Sequence, residues 1–152
     1  YDFDLAVERV RAASAAARSL PSDFMMIARA DGLIYDSYTC DAAIRRIQAF
    51  EAAGADGVYI PAPPDFAALE RIVKSVSAPV NALASDAFAA HSVDDFARIG
   101  VARLSVGAAL SRVAYGAAID VAKKMLNGTL SGLQRAASED EIDALLASDG
   151  EG

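Results

Sequence analysis

The chain has no tryptophan, one cysteine, one histidine and only 7% aromatic residues. That excludes a broad aromatic platform for stacking a ligand. Cys40, alone, cannot close an internal disulfide, and with His91 as the single imidazole there is no Cys/His zinc set. Cations are scarce too: 14 Lys and Arg stand against 21 Asp and Glu, a formal charge of −7 without a basic cluster. Nucleic acid and anionic membrane are bound by cationic side chains that replace counterions, so neither is expected as a partner. Long apolar runs are missing as well. The longest stretch free of charge, Ser75 to Ser85, falls far short of the roughly 20 apolar residues of a spanning helix. The acidic opening Tyr1-Asp2-Phe3-Asp4 lacks the basic start of a secretory leader, so a cytoplasmic location is the expectation.

What is there is enough for one domain with a core: 152 residues, 54% apolar, of which 35 residues are alanine. The chemistry must therefore come from carboxylates, arginines, hydroxyls and backbone. Asp4 is placed to cap a helix from about Leu5 to Ser19, with Leu5, Val10, Ala13 and Ala17 on one face, and Pro21 ends it. Phe24 to Ala28 is apolar on both parities, the pattern of a strand buried on two faces in a parallel sheet. Asp41 opens a helix over Ala42 to Ala53, closed by Gly54, and strand Gly57 to Ile60 follows. Asp65 caps a third helix to about Val76, before strand Pro79 to Leu83. Ser92 with Asp95 forms a capping box for a short helix ended by Gly100. Arg103 to Val106 is the last strand, and Gly107 leads into a long helix to Leu126, stopped by Asn127-Gly128. Ser138 to Glu141 starts a C-terminal helix to about Ala147, and the rest is a frayed tail.

An internal echo supports this division. Phe50, Gly54 and Val58 recur in spacing as Phe96, Gly100 and Leu104, 46 residues later, or two strand–helix units. Alternating strands and helices with short turns imply parallel strands joined by right-handed crossovers. Four such units take about 105 residues, whereas a closed eight-unit barrel needs about 250. The expected architecture is α/β of the (β/α)8 TIM-barrel type with about four units present: residues 1–128 as half a barrel, and 129–152 as a C-terminal helix and tail. The absent initiator methionine fits a chain that starts part-way through such a barrel. Alone it is not expected to be the functional unit, because four strands leave aggregation-prone open edges.

Several segments carry a resemblance. Tyr1 to Arg9, the strand end Ala28-Arg29-Ala30-Asp31, Arg46 to Asp56, Pro79-Val80-Asn81 and Ile99 to Leu110 together resemble the isocitrate lyase/phosphoenolpyruvate mutase family, over the C-terminal half of its barrel. The resemblance implies a Mg²⁺-dependent lyase or mutase that breaks or makes a C–C or P–C bond beside a carboxylate, through an enolate. It implies a small carboxylate substrate, and a homodimer or homotetramer whose long helix, with Val113 and Ala117, packs on a neighbouring barrel. It also implies that the aspartates holding the metal, and the gating loop, belong to the other half. Two other readings are open: a catalytically incomplete half-barrel serving as an oligomerising scaffold, and another barrel with a phosphate site near Ser105 and Gly107.

Barrel sites lie at the C-terminal strand ends, so the candidates are Arg29 and Asp31, Pro61 to Pro63, Asn81 to Ser85 and Ser105 to Gly107. Arg29 shares parity with Ile27, so if Ile27 faces the barrel interior Arg29 faces its mouth. The resemblance makes Arg29 a bidentate clamp on substrate carboxylate or enolate oxygens; a structural pair with Asp31 is the alternative. Asp31 either fixes Arg29 or is a solvated turn residue. Asn81 is placed to bind a substrate oxygen. Ser105 and Gly107 offer a hydroxyl and a helix start, though a tight turn also explains Gly107. Arg29 is the only strand-end cation expected, with Arg103 entering its strand from the opposite end. His91 reads as a surface residue and Cys40 as incidental. Ala62 after Pro61 departs from the glutamate of several lyases, against methylisocitrate-type cleavage. The acidic groups Asp94-Asp95 and Glu139 to Glu141 read as helix starts, so no metal ligands are assigned within the chain.

Overall fold

The computed structural model describes residues 1–147. The chain divides into two compact units, one from Tyr1 to Gly107 and one from Ala108 onward. In the first, helices α1 (Phe3–Arg18), α2 (Cys40–Ala52), α3 (Phe66–Lys74) and α4 (Val93–Arg98) alternate with strands β1 (Ile27–Arg29), β2 (Gly57–Tyr59), β3 (Val80–Leu83) and β4 (Arg103–Ser105). The second contains α5 (Ala109–Leu126) and α6 (Glu139–Ala147). Short 3-10 turns at 31–35, 86–90 and 131–135 fall in segments the periodicity leaves as loops. The tail expected beyond Ala147 lies outside the described residues.

Helix starts follow their side-chain caps. Asp65 accepts from the amide of Ala68 at 2.7 Å, and Ser92 with Asp95 forms the reciprocal box. Two caps differ from expectation. Asp2, not Asp4, caps α1 by accepting from Leu5 N at 2.8 Å, which leaves Asp4 in the first turn. Thr39, not Asp41, caps α2 through Ala42 N, so Cys40 is the first helical residue. The buried face of α1 is Ala6, Ser14 and Ala17, while Leu5 is exposed. The echo has a geometric basis. Gly54 and Gly100 adopt φ of +100° and +91°, and in each case the next amide returns to the buried phenylalanine, Ala55 N to Phe50 O and Val101 N to Phe96 O, both at 3.1 Å.

The four strands are all parallel in the order β1-β2-β3-β4, as α/β alternation requires. Ala28, Val58, Ile60, Val80 and Ala82 pack under the helices with Ala43, Ile47, Phe50, Leu69, Ile72 and Phe96. The first strand is displaced from expectation. It begins at Ile27, and Phe24 and Met25 are 57% and 70% exposed, because the Asp56 carboxylate takes the Met26 amide at 2.8 Å before the ladder starts. Ile27 and Arg29 lie on the face turned away from the helices. This is half of a (β/α)8-type arrangement: one sheet face is covered by helices, and β1 and β4 each pair on one side only.

Candidate active site

The register places four side chains in one row across the face opposite the one packed under the helices of the first unit: Arg29 opposite Tyr59, Tyr59 opposite Asn81, and Asn81 opposite Arg103. Partners in register point to the same side of a sheet, so the row holds two guanidinium groups, a phenol and an amide. Leu83 and Ser105 form the next paired step toward the strand ends.

At one end of the row, Arg29 Nε donates to Asp31 Oδ1 at 3.1 Å, and its Nη2 lies 3.0 Å from the same oxygen. The guanidinium also sits 5.0 Å from the centre of the Tyr59 ring, a cation–π distance. About half of the Arg29 side chain is exposed, which keeps one edge of the fork open. Asp31 is held by the turn that follows: the Gly32 amide donates to the Tyr38 hydroxyl at 2.7 Å, and a Cβ on Gly32 would collide with that ring. A cleft of about 400 Å³ borders this end and is lined by Arg29, Asp31, Tyr35 and Tyr38. Arg46 also lines it, but spends its donors on the carbonyls of Tyr1 and Asp2. Burial pushes the Tyr59 phenol up from its ordinary pKa, and the Arg29 charge only partly opposes this.

The middle of the row is a hydrogen-bonded chain. Arg103 Nη1 donates to Asn81 Oδ1 at 2.7 Å, Asn81 Nδ2 donates to Ser105 Oγ at 3.1 Å, and Ser105 Oγ donates to the Ala82 carbonyl at 3.1 Å. Asn81 is 5% exposed, one of two buried polar side chains among the described residues. Arg103 therefore does not stand apart at the opposite end. It begins β4 on the same parity as Ser105, and its long stem carries the charge to Asn81. Shared parity of residues 103 and 105 is the sequence signal for this second cation. Tyr59 has an equally readable signal in its alternation with Val58 and Ile60.

The remaining candidates separate from the row. Gly107 takes φ +52°, and a Cβ there would lie 3.3 Å from Leu83, so the turn itself demands glycine. Ala62 takes φ +54° in the loop after β2. His91 stacks on Phe66 at 4.0 Å between centroids, beside Phe88 and Phe96. The Cys40 thiol is pushed up from its ordinary pKa by burial, which disfavours the reactive thiolate. Among the described residues no three His, Cys, Asp or Glu side chains converge as a metal site. Asp95 instead serves the start of α4 and Arg98.

Comparison with known proteins gives this geometry a lineage. The family model described as phosphoenolpyruvate phosphomutase matches residues 1–126. A Burkholderia cenocepacia J2315 structure described as a lyase/mutase is 36% identical, covering 98% of this chain and 54% of that one, with a TM-score of 0.91. A phosphonopyruvate hydrolase, solved with oxalate and Mg²⁺, is 28% identical over 98% of this chain and 53% of its own, with a TM-score of 0.74. A 2,3-dimethylmalate lyase, described as a PEP mutase/isocitrate lyase superfamily member and 23% identical over 100% of this chain and 56% of its own, shares the fold with a TM-score of 0.70. No curated protein sequence matches significantly. The chain spans about half the length of the solved structures it resembles. Four parallel strand–helix units in the family's order, together with a family match that runs from the first residue into α5, place the chain in the phosphoenolpyruvate mutase/isocitrate lyase family.

Proposed function

We propose that residues 1–128 supply the carboxylate-binding half of a (β/α)8 enzyme, with residues 129–152 as its C-terminal helix and tail. The enzyme breaks or makes a C–C or P–C bond next to a carboxylate, through an enolate. The observation that carries this reading is the row of Arg29, Tyr59, Asn81 and Arg103 on one sheet face. Arg29 is the clamp: Asp31 fixes one edge of its fork, and the exposed remainder presents parallel N–H groups to a carboxylate or enolate. Asn81 adds a neutral amide two strands further on, Ser105 orients it from the third, and the Gly107 turn closes the site beyond Ser105. A chain of net charge −7 needs such a fixed cation to attract a dianion.

The phosphonopyruvate hydrolase was solved with oxalate and Mg²⁺, and Mg²⁺ is proposed as the cofactor of this chain by that likeness. The described residues of this chain do not fit the ion, since no three His, Cys, Asp or Glu side chains among them converge. Its ligands are assigned to the other half of the barrel; Arg29 and Asn81 serve substrate oxygens, Arg29 fixed by Asp31 and Asn81 by Ser105. The proposed location is cytoplasmic. No described helix is long and apolar enough to cross a membrane.

The test is steady-state kinetics of the full-length protein with Mg²⁺ and a panel of small 2-oxo and hydroxy di- and tricarboxylates and phosphonates, in parallel with Arg29→Lys. Turnover on one of them, lost in the variant with unchanged circular dichroism, is the expected result. Wild-type turnover in Arg29→Lys would return Arg29 to a structural partner of Asp31.

A further inference from the structure

The chain from Arg103 through Asn81 to Ser105 contains more than the proposed carboxylate site requires. Arginine carries only donors, so the Asn81 atom 2.7 Å from its Nη1 must be the amide oxygen. The amide nitrogen is thereby turned toward Ser105 Oγ, which has committed its own hydrogen to the Ala82 carbonyl and can only accept. Every link in the chain is then directional. One amide hydrogen of Asn81 is used on Ser105, and the second has no partner among the described residues. Arg103 forms no ion pair with a described carboxylate, which leaves its guanidinium to the Asn81 amide oxygen.

We propose that Arg103 is a positioning residue that locks the Asn81 amide as a hydrogen-bond donor toward an anionic substrate oxygen. An asparagine amide is nearly symmetric in shape, and without Arg103 it can turn over and present its oxygen to the carboxylate, which repels. The lock makes the site select acceptors, carboxylate or enolate oxygens, over hydroxyl donors. This inference rests on the carboxylate-site reading and assigns a residue that reading leaves without a role.

The test measures oxalate affinity by calorimetry, with Mg²⁺, in full-length wild type, Asn81→Ala, Arg103→Met, Arg103→Gln and the Asn81→Ala/Arg103→Met double variant. If Arg103 acts through Asn81, Arg103→Met weakens oxalate about tenfold, the scale of one lost hydrogen bond to a charged group. The same change then has no effect in the Asn81→Ala background. Arg103→Gln, whose amide can still donate to Asn81 Oδ1, restores most of the affinity. An equal loss in the presence and absence of Asn81, or a Gln variant as weak as Met, would overturn the proposal in favour of direct charge attraction or general destabilisation. A neutron crystal structure of Arg103→Met, which locates the amide hydrogens, decides the orientation independently of any ligand: an Asn81 amide turned over supports the lock, and Nδ2 still directed at Ser105 Oγ overturns it. Failure of the wild type to bind oxalate would instead remove the carboxylate-site reading, leaving the orientation to the crystal structure.

Discussion

Arg29 owes its proposed power to geometry as much as to charge. Lysine in its place would keep the cation but lose the two-pronged contact and the flat face set against Tyr59. The expected loss of turnover in Arg29→Lys is about 10²- to 10³-fold, equivalent to about 2.7–4 kcal/mol, the scale of removing one oxyanion donor. The fold should be untouched, because the Arg29–Asp31 pair is half exposed and contributes little to stability. Far-ultraviolet circular dichroism and the thermal midpoint check the second half of this expectation, and kcat checks the first.

Two element-scale devices carry testable weight. Gly54 ends α2 at φ +100°, with Ser14 of α1 only 3.2 Å from where a Cβ would stand. Gly54→Ala meets backbone strain and a steric contact together, and should destabilise the first unit by about 1–3 kcal/mol in urea denaturation. The second device is the box at the start of α4. Hydrogen bonds from the Ser92 amide and hydroxyl, then from Arg98, hold the Asp95 carboxyl well below the usual carboxylate range. Asp56 is lowered in the same sense by Arg18 and the Met26 amide. The unfolded chain binds more protons than the folded one between the two titrations, so this stability is full above about pH 3.9 and drains away as pH falls through the native values. Asp95→Asn should therefore lower the thermal midpoint at pH 7 and flatten its decline below about pH 4, measured by thermal melts across about pH 2.5–7.

At the scale of the molecule, β1 and β4 each pair on one side only among the described residues, and the second unit displays apolar surface. Leu110, Val113 and Tyr115 of α5 are each about 70% exposed, and a Cβ at Gly116 would meet nothing within 4 Å. Small residues at Ala114, Gly116, Ala117 and Ala118 permit close approach of another helix. The proposed assembly is a homodimer or homotetramer in which α5 and α6 contact a neighbouring barrel. Ala117→Arg should convert the full-length oligomer to a smaller species in size-exclusion chromatography with light scattering, and an unchanged mass would remove α5 from the contact.

The sequence by itself determined the order and kind of elements, because glycine stops, side-chain caps and apolar periodicity act within a few residues of one another. The Phe50/Gly54 and Phe96/Gly100 echo was legible for that reason, and so were the parallel sheet and the family. It put the caps of α1 and α2 two residues late, since Asp2 and Asp4, like Thr39 and Asp41, can each accept from a helix amide and the sequence does not say which residue first takes helical dihedrals. It misjudged Phe24 and Met25 because an apolar run does not say where a ladder begins; a hydrogen bond from Met26 to Asp56, 30 residues away, does. Only the tertiary structure decided that Arg103 belongs beside Asn81. Parity gives the face a side chain takes, but the register between strands 22 residues apart decides which side chains on that face can touch.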